Sequence, residues 1–149
     1  MAKTKIQKKP KIRKKQFHYK LYRSSVILVY GPEHTCQELF DYAAKLDPEL
    51  NQYREGGYDW SQVAAMACEP TSKRKIYVLV GVKTDIFDLV HECSHVTHYL
   101  FQGIGSQHTA DSDENYAYTL DNVLEDLYQY IVKYTDDEKL IKFLRTGPK

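Results

Sequence analysis

His91-Glu92-Cys93-Ser94-His95 is the stretch whose residue types and spacing point most directly to chemistry. On a helix, positions four apart lie one turn above each other on the same face. His91 and His95 can therefore close on one metal ion. Glu92 is offset by about 100° around the helix, from where it reaches a metal-bound water without being a ligand. The chain holds 6 His and 9 Glu in 149 residues, and a shuffled version would show this pattern by chance on the order of one time in a hundred. Three conditions must therefore be met: a helix, a third ligand, and a core that holds both.

A catalytic zinc site takes three protein ligands and keeps a fourth position open for water. Glu114, 19 residues after His95, opens the next helical pattern and is the leading third ligand. Its competing use is as the far half of a capping box begun at Asp111. Asp113 and His108 are the alternatives. His98 rises about 10.5 Å along the axis from His91, too far for one ion with bonds of ~2.1 Å to hold both with His95. With such a ligand set Zn2+ brings the pKa of its water towards about 7. Glu92 would take that proton and pass it to the leaving amine. Tyr118, one turn after Glu114, either donates its phenol to a tetrahedral intermediate or packs in the core. Asp121 and Glu125 continue that face. Asp121 either orients a ligand histidine or belongs to a solvated acidic edge.

The flanking sequence supplies the elements that must position these groups. Ser25–Tyr30 is a β-branched apolar run stopped by Gly31-Pro32, which predicts a strand and a turn. Thr35 with Glu38 has the capping-box pattern of a helix ending near Asp47-Pro48. Residues 48–60 read as an irregular, Tyr-rich connection, either a loop over the site or a plain link. Val63–Cys68 and Lys75–Lys83 predict a hairpin, and the near-continuous apolar run of the second strand predicts burial on both faces. Thr84 or Asp85 caps the helix carrying the motif, and Gly103 and Gly105 end it. Further helical patterns run from Asp111 to about Tyr134 and from Asp136 to Leu144.

Residues 1–15 hold eight Lys or Arg and no acid, leaving 13 basic against 20 acidic groups in the rest. Such a segment is expected to be disordered alone. It serves either as a solubilising tail or as an arm that touches nucleic acid or another acidic surface. The longest apolar runs, Val26–Tyr30 and Ile76–Val82, are too short to span a membrane, and no signal peptide is read at the start. Cys36, Cys68 and Cys93 lack metal-ligand or redox spacing and are expected to be buried, reduced thiols in a cytoplasmic protein.

The order of strand, His-Glu-x-x-His helix, Gly-bearing link and Asp113-Glu114-Asn115-Tyr116-Ala117-Tyr118 resembles the minimal zincin metallopeptidases. It is most similar to the small gluzincin-like type carried by phages and bacterial mobile elements, over roughly residues 75–130. The resemblance implies zinc held by His91, His95 and Glu114, Glu92 as general base, and a peptide or protein substrate in host cytoplasm or virion. The metzincin pattern is absent: its extra Gly falls at His98 and its third His at Phe101. The resulting expectation is an α+β fold in which a small, mostly antiparallel sheet packs against an active-site helix and a second, ligand-bearing helix. A single zincin-like domain over 17–149 would follow a disordered basic tail over 1–16. The competing expectations are a zinc-binding scaffold without proteolysis, in a structural or regulatory role, and a protease recruited to nucleic acid by its basic arm.

Overall fold

The computed structural model describes residues 9–56 and 59–144. They form strands β1 (Arg13–Tyr19), β2 (Ser24–Tyr30), β3 (Ala65–Ala67) and β4 (Lys75–Val80) and helices α1 (Cys36–Leu46), α2 (Ile86–Gly103), α3 (Asp113–Lys133) and α4 (Asp137–Leu144). The fold is α+β, as the sequence pattern predicts. The strands make one sheet in the order β1-β2-β4-β3. The outer pairings, β1 with β2 and β4 with β3, are antiparallel, while the central β2–β4 pair is parallel. The parallel centre is a finding beyond the expected hairpin. It follows from the long crossover between β2 and β4, which carries α1.

Both central strands are buried on both faces, which is why their sequences read as unbroken apolar runs. Val26, Leu28, Tyr30, Ile76, Val78 and Val80 face a core shared with α2, α3 and α4. Ile27, Val29, Tyr77 and Leu79 face a second core beneath α1. The sheet is thus the middle layer of three. α1 begins as expected, with the Thr35 hydroxyl accepting the Glu38 N–H and the Glu38 carboxylate accepting the Thr35 N–H. The turn before it fits against the end of β4 only because position 81 is glycine: a Cβ there would lie 2.6 Å from the His34 carbonyl oxygen.

One expectation needs correction, and one open alternative is decided. The basic tail was expected to be disordered over 1–16. Residues 1–8 lie outside the described residues, but Arg13–Gln16 belong to β1, hydrogen-bonded along β2. The strand is anchored before it starts: the Lys9 ammonium lies 2.8 Å from Glu38 and His34 donates from Nε2 to the Pro10 carbonyl at 2.8 Å. The physical reason is alternation. Phe17 and Tyr19 turn into the α2–α3 core, and a free edge of β2 pairs the backbone groups. The Lys9 ammonium and the His34 ring in turn hold the Glu38 carboxyl down at about 2.

The alternative decided is that of residues 48–60, a loop over the site or a plain link. Pro48–Gly56 winds into 3₁₀ turns, and Trp60–Gln62 forms another. Leu50, Tyr53 and Trp60 pack into the core beneath α1, on the sheet face opposite α2. The described part of this connection therefore does not lie over the helix that carries the histidines. Gly57 of the same run lies outside the described residues. No helix among the described residues is long and apolar enough to cross a membrane.

Candidate metal centre

α2 starts at Asp85, whose side chain accepts the Asp88 N–H at 2.9 Å while the Asp88 carboxylate accepts the Asp85 N–H at 3.0 Å. Thr84, the alternative cap, instead donates to the Ala64 carbonyl and accepts the Gly81 N–H. Leu89, Cys93, Val96 and Leu100 bury one side of α2 against the sheet. At about 100° per residue, His91 and His95 then fall on the side turned away from the sheet, with Glu92 and Ser94 on opposite flanks. Both histidines are exposed. Near the other end of the helix, Arg74 donates to the Tyr99 carbonyl at 2.7 Å, and Gly103 leaves room for its guanidinium.

The two imidazoles converge. Their Nε2 atoms lie 3.1 Å apart, with ring centroids 4.8 Å apart and planes nearly perpendicular at 80°. Two nitrogens bound tetrahedrally to one zinc at about 2.1 Å would lie ~3.4 Å from each other. The observed separation is within a few tenths of an ångström of that, so this half of the donor set fits the ion the motif implies.

Glu92 occupies the flank facing β3. Its Oε2 accepts the Ala67 N–H at 2.7 Å. β3 is an edge strand, and the Cys68 N–H bonded to the Tyr77 carbonyl at 2.8 Å fixes which of its groups face outward. Antiparallel alternation turns the backbone N–H and C=O of Ala65 and Ala67 to the open edge. Glu92 therefore holds one of these groups, with the other three presented beside it. The three cysteines are free and buried, as expected. Burial, with the Glu92 charge as a smaller cause, pushes their thiols up to about 12. They are therefore protonated at neutral pH.

The opposite flank of α2 meets α3. Tyr116 donates to the Ser94 carbonyl at 2.9 Å and packs at 5.3 Å, centroid to centroid, from Phe101. The first turn of α3 is thus pinned to the flank of α2 next to the histidines. Glu114 lies on this turn, and its Oε1 accepts the Tyr118 phenol at 3.3 Å. Asp113 and His108, the alternative ligands, contact each other at 2.6 Å, and the His108 ring stacks on Tyr116 at 4.1 Å. Among the described residues no group of three His, Cys, Asp or Glu side chains has metal-binding geometry. The structure brings the His91 and His95 imidazoles together, turns Glu92 to the neighbouring flank against β3 and leaves Glu114 engaged one helical turn along its own helix.

His98 lies with His108 in a groove of ≈ 530 Å³ at the far end of α2, apart from the converging pair. Tyr118 is 61% exposed, so it is not a core residue. Asp121 and Glu125 line a separate apolar groove with Ile86, Leu124 and Tyr128, and Glu125 accepts from Gln129 at 3.1 Å. Asp121 makes no hydrogen bond to either histidine. Sequence reasoning missed two contributors. Tyr116 could have been found from its place at the head of the stripe Tyr116, Leu120, Val123, Leu127. Ala67 acts through its backbone N–H and carries no side-chain signal. Comparison with protein-family models, with curated proteins and with solved structures finds no match to this chain.

Proposed function

We propose that the protein is a zinc-dependent metallopeptidase whose site lies on the exposed side of α2. The observation that carries this reading is the convergence of the His91 and His95 Nε2 atoms at 3.1 Å, with the Glu92 carboxylate on the adjoining flank of α2, held at the open edge of β3. His91 and His95 would hold the ion, and Glu114, on the turn pinned by Tyr116, is the third residue of the set. Zinc bound there supplies a water acidified to a pKa near about 7 and a Lewis acid for a carbonyl oxygen.

The remaining roles belong to the chain. The outward N–H and C=O of Ala65 and the C=O of Ala67 can pair with an extended peptide laid along β3, the backbone recognition used in strand addition. Such a peptide runs past Glu92, whose Oε1 has no protein hydrogen-bond partner among the described residues and is free to take a proton. Oε2, held by Ala67, keeps the carboxylate aimed. Glu92 then returns the proton to the departing amine nitrogen. Tyr118, exposed and bonded among the described residues to Glu114, is placed to offer its phenol to the developing oxyanion once Glu114 turns away.

A second reading has its own observation. With Glu114 bonded to Tyr118 and no group of three ligands assembled among the described residues, the same pair of histidines suits a metal-binding scaffold without proteolysis. Incubating the zinc-supplemented protein with a panel of unfolded proteins and mapping new termini by mass spectrometry separates the two. Cleavage that stops with a chelator and resumes with zinc is expected. A panel left intact by zinc-loaded protein establishes the scaffold instead.

A further inference from the structure

The first 23 residues contain ten Lys or Arg and no acid, while residues 24–149 contain 11 basic against 20 acidic groups. The fold converts this asymmetry into a surface. β1 is the sheet edge opposite β3, separated from it by β2 and β4. Three strand spacings of about 4.8 Å put roughly 14 Å between the two edges. Arg13, Lys14 and Lys15 follow one another along β1, and register places Arg13 and Lys15 over one sheet face and Lys14 over the other. The edge is therefore a ridge with cations on both sides. Lys11 precedes it, and Lys20 and Arg23 follow on the 3₁₀ turn that leads into β2.

Not every cation is free. Lys9 pairs with Glu38, and the Arg13 guanidinium lies 4.0 Å over the Tyr134 ring. Lys11, Lys14, Lys15, Lys20 and Arg23 have no side-chain partner among the described residues and are all exposed. Residues on one face of a strand recur about every 6.8 Å, so these cations are spread along the ridge rather than gathered at one point. An edge strand can be guarded by charge alone, but such protection needs one or two lysines and no continuation into the flanking turn.

We propose that the β1 edge and its following turn bind the phosphate backbone of duplex DNA, leaving the histidines of α2 and the β3 edge uncovered. The partner is a duplex because the described residues of the edge offer no platform for stacking unpaired bases. Phe17 and Tyr19 turn into the core, and His18 is tied through Nδ1 to the Ser25 hydroxyl at 3.0 Å. Binding is independent of base sequence, since nothing on the edge is shaped to read base pairs. Its effect is to concentrate the protein on DNA and so beside DNA-bound proteins.

The test is fluorescence anisotropy of a labelled DNA duplex titrated with the full chain over a range of salt. Five free cations predict a slope of log K against log salt of about −4 to −5. Lys14→Gln with Lys15→Gln should reduce the slope by about 2 and weaken binding by about tenfold to a hundredfold at 0.1 M salt. A second pair, Lys11→Gln with Lys20→Gln, should do the same, and circular dichroism checks that each variant keeps its fold. The proposal is overturned by a duplex that does not bind at low salt, or by binding that neither pair weakens. It is overturned equally by tighter binding of a single strand of the same sequence, or by binding to anionic lipid vesicles but not to the duplex. None of these readouts depends on hydrolysis, so the peptidase reading stands or falls separately.

Discussion

Glu92→Gln should lower peptide hydrolysis by about 10²–10⁴-fold while leaving the metal in place. That range is what positioned proton transfer contributes. Glutamine is nearly isosteric, and its carbonyl oxygen can still accept the Ala67 N–H that Glu92 accepts at 2.7 Å. The edge of β3 and the flank of α2 therefore stay joined, and the substitution removes basicity without removing architecture. Metal retention is expected because Glu92 faces β3 while the imidazoles face away from the sheet. The rate is followed on whichever member of the unfolded-protein panel is cleaved, with zinc measured on the same samples. Hydrolysis within about threefold of the parent would remove Glu92 from the proton transfer. Loss of zinc together with activity would instead make its role structural.

Phe40→Ala should cost about 3–5 kcal/mol of stability, a fifth or more of a total typical for one domain, about 5–15 kcal/mol. Phe40 is fully buried beneath the sheet, 4.9 Å from the Trp60 ring and under the Arg54 guanidinium. Truncation leaves a cavity that the rigid undersides of β2 and β4 cannot collapse to fill. Urea unfolding followed by far-UV circular dichroism reads the loss. The same variant, studied well below its unfolding midpoint, should bind zinc like the parent, because the core under α1 is separated from α2 by the whole sheet. A loss under about 1 kcal/mol would mean that the layer beneath the sheet contributes little to the fold.

The two effects distinguish what sequence could reveal from what it could not. α2 was legible because its determinants are local: Asp85 and Asp88 cap it, apolar residues recur at helical spacing, and Gly103 and Gly105 lie at its end. β4 was legible because burial on both faces leaves an unbroken apolar run. Its parallel pairing with β2 was not, since that depends on where a distant strand lies. β1 was obscured by composition: the alternation of Phe17 and Tyr19 is short, and the basic residues around it suggested a free tail. The place of Glu114 at the head of α3 was readable, but its carboxylate is claimed by Tyr118, four residues on. Side-chain choices of that kind are settled by geometry that spacing does not express. The contact between Glu92 and Ala67 was invisible for a simpler reason, since backbone amides are the same at every position.

The central claim is that His91 and His95 form one half of a zinc site, and zinc content measures it most directly. Protein purified without chelators, with its Glu92→Gln and His95→Ala variants, is analysed by plasma mass spectrometry against protein concentration. The account predicts about one zinc per chain in the parent and in Glu92→Gln, and its loss in His95→Ala with the fold intact by circular dichroism. A parent that takes up no zinc, or a His95→Ala variant that holds as much as the parent, would contradict it.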